Sequence, residues 1–343
     1  MNRFGWISAE TISEAAAATS IIVADAMTTA RDTKDRSETS IIKAGGIDLL
    51  DLLKENLLGP TRLVSLRDIA GLAIVAEQAG GLRIGSMVTL ADLVANPIVR
   101  QRYPALADAL QNSASPQIRN VATLGGNLLQ RPRCWYFRAA EYHCLRKGGG
   151  HCFAISGENQ YHAIFDNQSC AIVHPSTAAT VLVALGAMLE LANSDGVTRN
   201  VLLEEFFVSP DRDLQRENDL KPAEILTAIL LPALPASLRM THLKQGEKDS
   251  FDWPLADVAV ALDLNGDGSC KHAAIILGAA APVPYRAKAA EKILIGRHVD
   301  DAAAREAAHA AIDGATPLSK NAYKLPLFET LVRRAVLKVA ILP

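Results

Sequence analysis

No run of about 18 apolar residues occurs in this 343-residue chain, so no segment is suited to span a bilayer. The start, MNRFGWISAETISEAAAATSIIVADAM, lacks both an apolar core behind a basic flank and twin arginines, so no export signal is expected there. Basic residues form no tract. A formal charge of -2 and a pI near 6.5 leave no electrostatic footprint for nucleic acid or an anionic membrane surface. There is no G-x-G-x-x-G after a strand and no G-x-x-x-x-G-K-[ST], which removes the Rossmann and P-loop nucleotide sites. Internal repeats and low-complexity tracts are absent. No Ser-His-Asp or Cys-His pair can be placed by spacing, so the chain offers no evident nucleophile for organic chemistry. A disulfide framework is also disfavoured, because the five cysteines are odd in number and four fall in one segment, 134–170.

What is present is an ordinary globular composition, 49% hydrophobic and 21% charged, with length enough for two or three cores. Strand-like and helix-like runs alternate, which predicts a mixed α/β or α+β organisation. TSIIKAGGIDLLDLLKENL reads as a strand over 40–43, a glycine turn and an apolar-striped helix, with Asp48 favourably placed near its N-terminus. TRLVSLRDI and LRIGSMVTLADLVAN each read as a strand feeding a turn or short helix, PALADALQNSAS as a helix, and ATLGGNLL as a strand or turn. STAATVLVALGAMLELAN predicts a helix-to-strand passage, AEILTAILLPAL a buried strand, and DVAVALDLNGDGSCKHAAIILGAA a hairpin. Pro232 and Pro235 mark a linker, and the tail from Pro284 is Ala-rich and helical. In DLNGDG, Asp263, Asn265, Asp267 and Gly268 match the start of a calcium loop, but its twelfth place is Ala274, so the stretch reads as a glycine turn.

Two double-glycine turns, KAGGID (43–48) and TLGGN (123–127), carry more information. Without Cβ atoms, paired glycines let backbone N–H groups close on a diphosphate, and a following helix N-terminus adds favourable partial charge. The third feature is thiol-rich: Cys134, Cys144, Cys152 and Cys170, spread through a polar loop centred on Gly148, Gly149 and Gly150. Their spacing lacks C-x₂-C knuckles, and thiolates accept iron–sulfur clusters and zinc alike, so cluster, zinc and unligated thiols all stand on chemistry alone. So polar a loop is expected to bury little apolar area and to take its order from metal–thiolate bonds. Cys270 reads as a spare thiol.

In order, AGG-x-D-L-L, LRIG, QIRN-x-A-T-x-GGN, a His-Pro-Ser segment before an ALGA helix, and LK-x-G-E-K-x-S-F-D resemble the FAD-binding medium subunit of the molybdenum hydroxylases. The resemblance runs from about Phe4 to the C-terminal helices. It implies an α+β fold, the two-subdomain FAD-binding type of vanillyl-alcohol oxidase, over residues 1–235, then a C-terminal domain of a small antiparallel sheet and helices over 236–343. It places Lys43, Ala44, Gly45, Gly46, Ile47, Asp48 and Leu49 at the FAD diphosphate, and Thr123, Gly125, Gly126 and Asn127 on a second flavin-nucleotide loop. Lys244 matches a family lysine near the flavin. Two positions depart from the pattern: Ile47 replaces a polar residue, and Thr177 stands where many relatives have Asp.

Most of that family lacks the stretch of about 130–172. Its presence resembles the aldehyde oxidoreductase and hydroxybenzoyl-CoA reductase branches, whose FAD subunits hold a [4Fe–4S] cluster. The resemblance therefore implies Cys134, Cys144, Cys152 and Cys170 as its ligands, with Arg131, Arg133, Arg138, Arg146 and Lys147 placed to offset negative charge. His143, His151, His162 and His174 are alternative ligands or structural residues. By the same resemblance, a large molybdopterin-binding subunit and a small [2Fe–2S] subunit are the expected partners. The expected location is the cytoplasm, or the periplasm with a signal-bearing partner. A free-standing flavin oxidoreductase and a metal-stabilised scaffold are the competing readings.

Overall fold

The computed structural model describes residues 1–19, 22, 23, 27, 39–248 and 251–341. Ser250, in the LK-x-G-E-K-x-S-F-D run, lies outside the described residues. Three sheets organise the rest. The first is parallel: β1 (Gly5–Ser8), β2 (Ser40–Lys43) and β3 (Arg62–Ser65), with β3 paired to both neighbours. A parallel connection needs a crossover, and the helix Ile47–Lys54 supplies it between β2 and β3. Leu49, Leu52 and Leu53 of that helix are buried with Ile41 and Leu63 of the strands, so the leucine stripe seats the helix on the sheet.

The second sheet is antiparallel, in the order β4 (Val75–Gln78), β5 (Gly81–Gly85), β8 (Glu224–Leu231), β6 (Met188–Asn193), β7 (Thr198–Leu202). Helices Pro104–Gln111 and Thr177–Ala184 share its core, with Leu106, Leu110, Val181 and Leu182 buried among Ile84, Leu189 and Ile229. The third sheet is β9 (Leu238–Gln245), β10 (Ala256–Leu264), β11 (Cys270–Gly278) and β12 (Tyr285–Arg286), all antiparallel. Its central strand shows why it holds two layers together. Val258, Val260 and Leu262 join the core made with helices Lys288–Leu294, Asp301–Ala311 and Lys324–Ile341, while Ala259 and Ala261 join the core of the second sheet. Alternate side chains of a strand face opposite sides, so one strand serves both cores. This is the α+β arrangement expected. DLNGDG closes the β10–β11 hairpin as a turn, with Gly268 in the left-handed region at φ 83°.

TLGGN departs from expectation. Instead of a strand or turn, Leu124–Leu128 forms one helical turn, capped by Thr123 Oγ1, which accepts from Gly126 N at 3.1 Å. Two glycines disfavour a helix by about 1 kcal/mol each. Leu124 and Leu128, four apart and both buried, supply packing that outweighs this.

The 130–172 insertion also departs from expectation. It is not poor in apolar contacts: Phe137, Ala154, Ile164, Phe165 and Ile172 are buried, and Trp135, Tyr136, Tyr142 and Phe153 pack ring against ring. Polar stitching adds to this. Asn321 Nδ2 donates to the carbonyls of His162 and Ala163, and buried Lys324 Nζ donates to those of His162 and Ala279. Aromatic packing and hydrogen bonds to the C-terminal segment therefore order the loop, not thiol chemistry alone.

Candidate functional site

Between the first two sheets and the edge of the third lies a cavity of about 610 Å³, within the usual range for a small-molecule site. The first glycine turn gives it Ala44, Gly45, Gly46, Ile47, Asp48 and Leu49; the second gives it Thr123, Gly125, Gly126 and Asn127; β9 gives it Lys244. Lys43 does not line it. Its Nζ donates to Ala44 O at 3.1 Å and lies 5.5 Å from the Trp6 ring centroid.

The glycines divide the work. A Cβ on Gly45 would sit 2.1 Å from Val121 O, and one on Gly125 would sit 2.8 Å from Ser86 Cβ, so these two allow backbone segments to pack. Gly126 is different. Its nearest neighbours would be Thr123 Oγ1 at 3.0 Å and Ala44 Cβ at 3.8 Å, which leaves the space beside it to the cavity. Gly46, at φ 89°, is the N-cap of Ile47–Lys54 and offers no side-chain cap to that helix. The helix N-terminus, rich in backbone N–H donors, therefore opens on the cavity.

Two sequence-predicted residues have structural partners as well. Asp48 accepts from Arg131 N at 2.9 Å, Arg133 Nη2 at 2.9 Å and Arg138 Nη2 at 2.6 Å. Lys244 Nζ donates to Asn112 O at 2.8 Å, and burial lowers its ammonium below the usual lysine range against the opposing pull of Asp257 and Asp252. Ile47 and Thr177 also line the cavity, an apolar and a hydroxyl surface at the two positions that depart from the family pattern.

Cys134, Cys144, Cys152 and Cys170 come together around a second, much smaller cavity of about 10 Å³, with Arg146 and His162 beside them. Three of them sit at the N-cap position of a short helical turn: Cys134 before Trp135–Arg138, Cys144 before Leu145–Lys147, and Cys152 before Phe153–Ser156. Backbone N–H groups of those turns point at the sulfurs and favour the thiolate form. Burial acts the other way and pushes the Cys134 thiol up to about 12. A hydrogen bond from Cys170 lowers the Cys152 thiol and raises that of Cys170 itself. Among the described residues, no three His, Cys, Asp or Glu side chains are grouped to hold a metal ion.

The basic residues of the insertion do not all face the thiols. Arg133 and Arg138 turn to Asp48 and Asp51 on Ile47–Lys54, and Lys147 Nζ donates to Ala139 O. Only Arg146 lines the cysteine cavity; it lies 2% exposed, with Nε and Nη2 lacking an aligned acceptor. His162 Nε2 is 3.2 Å from Cys134 Sγ. His174 is buried away from the thiols, stacked edge-on against Phe207, with Nδ1 accepting from Ser176 N. Sequence reasoning missed Glu217, a buried carboxylate that joins Arg131 to Arg146. An isolated Glu in a loop carries no local signal.

Residues 2–234 match the family described as the FAD binding domain in molybdopterin dehydrogenase, and residues 241–339 match the CO dehydrogenase flavoprotein C-terminal domain. The chain is 35% identical over 290 residues to the aldehyde oxidoreductase FAD-binding subunit PaoB of Escherichia coli (strain K12), covering 83% of this chain and 86% of that one. It is 28% identical to the carbon monoxide dehydrogenase medium chain of Hydrogenophaga pseudoflava, over 85% and 86% of the two chains. A solved carbon monoxide dehydrogenase from Hydrogenophaga pseudoflava superposes with a TM-score of 0.72 at 25% identity, over 99% of this chain and 97% of that one. A solved quinoline 2-oxidoreductase from Pseudomonas putida 86 gives 0.71 at 25%, over the same shares. With the glycine turns gathered on one cavity and the family match spanning both parts, the chain belongs to the FAD-binding subunits of the molybdenum hydroxylases, oxidoreductases of the molybdopterin-dependent dehydrogenase class.

Proposed function

We propose that this chain is the electron-transfer subunit of a heteromeric aldehyde or N-heterocycle oxidoreductase, with FAD in the large cavity and a [4Fe–4S] cluster on Cys134, Cys144, Cys152 and Cys170. The observation that carries the reading is convergence: two glycine turns and Lys244, far apart in sequence, line one cavity. When bound, FAD supplies exchange between one- and two-electron carriers, and a cluster supplies one-electron storage. Gly46, Ile47 and Gly126 give the nucleotide close backbone approach, Thr123 fixes the second turn, and Lys244 puts a cation beside it. At the thiols, the donor set suits iron, and the buried Arg146 guanidinium beside Cys170 suits a negatively charged group there.

Organic oxidation then belongs to a large molybdopterin-binding partner, and a small [2Fe–2S] partner carries electrons between the two. The designation of relatives as medium chains supports such an assembly. Residues 1–235 form the FAD-binding part and 236–343 the C-terminal domain, a division supported by the gap between the two family matches. The complex works in the cytoplasm, or in the periplasm if a partner bears the signal. Among the described residues no helix is long and apolar enough to cross a membrane.

A visible spectrum with metal analysis of the purified protein tests this. Flavin bands with a broad iron–sulfur shoulder and about four irons per chain are expected. Flavin alone points to a free-standing flavoprotein, neither to a scaffold, and turnover of aldehydes by the isolated chain overturns the subunit reading.

A further inference from the structure

The two cavities share a wall of charge. One oxygen of Glu217, Oε1, accepts from Arg131 Nη2 at 2.8 Å and from Arg146 Nη1 at 2.7 Å. Arg131 and Glu217 line the large cavity, and Arg146 lines the cysteine cavity. All three are buried. Burial alone would raise the Glu217 carboxyl, but the two arginines outweigh it and hold it below the usual carboxylate range.

Two guanidinium groups against one carboxylate leave a positive excess, and buried charge of this kind persists only where something compensates it. Neutral neighbours meet part of it: Arg131 Nη2 donates to Gln215 O at 2.6 Å, its guanidinium lies 4.9 Å from the Phe137 ring centroid, and Arg146 lies against Cys170, while Arg131 Nε and Arg146 Nε lack an acceptor. The uncompensated donors belong to residues on both sides. An anionic group at the thiols and an anionic nucleotide in the large cavity complement them. Because the three side chains are buried, a change of charge at one side is weakly screened at the other.

We propose that the Arg146–Glu217–Arg131 triad is an electrostatic link between the two cavities, in which Glu217 divides its charge between the arginines and so sets the potential of the flavin. Glu217 acts here as a positioning residue. The inference rests on the FAD assignment above and, for its cysteine side, on the cluster assignment.

The test is the flavin midpoint potential of the purified holoprotein, read spectroscopically, with iron counted in every sample. Arg146→Gln removes a cation that does not line the flavin cavity and leaves Glu217 less neutralised. The reduced, more negative flavin is then disfavoured, and its midpoint shifts down. Glu217→Gln removes the anion and shifts the midpoint up. Arg146→Lys keeps the charge and leaves the midpoint near wild type. Each variant is compared with a reference of equal iron content, either wild type or Cys170→Ser. A merely loosened wall would move Arg146→Gln and Glu217→Gln in the same direction. That outcome, no shift in either, or an equal shift in Arg146→Lys and Arg146→Gln overturns the link. Wild-type protein without iron rejects the cluster assignment but leaves the flavin comparison readable.

Discussion

Asp48 Oδ1 accepts from Arg138 Nη2 at 2.6 Å, and Asp48 Oδ2 accepts from Arg131 N at 2.9 Å, so one carboxylate ties the cysteine-bearing insertion to the first turn of the helix Ile47–Lys54. The same helix N-terminus opens on the large cavity. The helix bordering the large cavity and the insertion are thus fastened through Asp48, with Asp51 adding contacts to Arg133 and Arg138.

Breaking that fastening has a predictable size. Charge-assisted hydrogen bonds contribute about 1.5–3 kcal/mol each, and Asp48→Ala removes one of Arg138's two carboxylate partners together with the acceptor for Arg131 N. We expect at least about a tenfold loss of FAD affinity, equivalent to about 1.4 kcal/mol, and faster amide exchange over residues 130–140. Fluorescence titration and hydrogen exchange read the two effects. Unchanged exchange in the insertion would disprove the tie.

The glycines should separate into two classes. Gly45→Ala drives a Cβ to 2.1 Å from Val121 O, so it should lower the melting temperature even without flavin. Gly126→Val instead projects into the cavity and should release flavin while the fold persists. Thermal unfolding of the flavin-free protein, set beside flavin occupancy, distinguishes them. Full occupancy in Gly126→Val contradicts the assignment of the second turn.

Iron content tests the thiols individually. Serine at Cys134, Cys144, Cys152 or Cys170 should lower the iron count, whereas Cys270→Ser should not, because Cys270 lies in the C-terminal core with its thiol directed to His272 O at 3.4 Å. Since aromatic packing also orders the insertion, the four variants should stay folded. Zinc in place of iron after anaerobic purification, or full iron in Cys152→Ser, would falsify the ligand set.

Acid should expose His174. Burial lowers its imidazole to about 4, with Glu217 pulling weakly the other way, while the unfolded chain titrates near 6.5. Between those values the unfolded state binds the proton and the folded state does not. The contribution is therefore complete above about pH 6.5 and declines by about 1.4 kcal/mol per unit as pH falls towards 4. His174→Asn keeps an acceptor for Ser176 N but removes the titration. Denaturant melts at pH 7 and pH 5 should show a smaller acid loss in this variant; parallel losses would argue against a neutral buried His174.

Much of the layout was legible because its signals are local. The strand, glycine turn and leucine-striped helix over 40–54 follow from short-range pattern, as does the β10–β11 hairpin around its glycine turn. TLGGN was misread because its helical turn depends on burying Leu124 and Leu128, a tertiary contribution that glycine propensity opposes. The insertion's aromatics carry no clearer local signal. Trp135, Tyr136, Tyr142 and Phe153 show no regular period, and only folding places their rings in contact.

The sequence by itself determined the family, the two glycine turns and the four thiols, since residue type and chain order are enough to state them. Tertiary structure alone decided where the charges go. Arg133 and Arg138 look equivalent to Arg146 in the sequence, yet they serve Asp48 while Arg146 serves Glu217. Those contacts join positions as much as 90 residues apart. In a buried setting, a guanidinium settles on whichever carboxylate the fold brings within reach, because leaving it unpaired is costly. No local pattern encodes that choice.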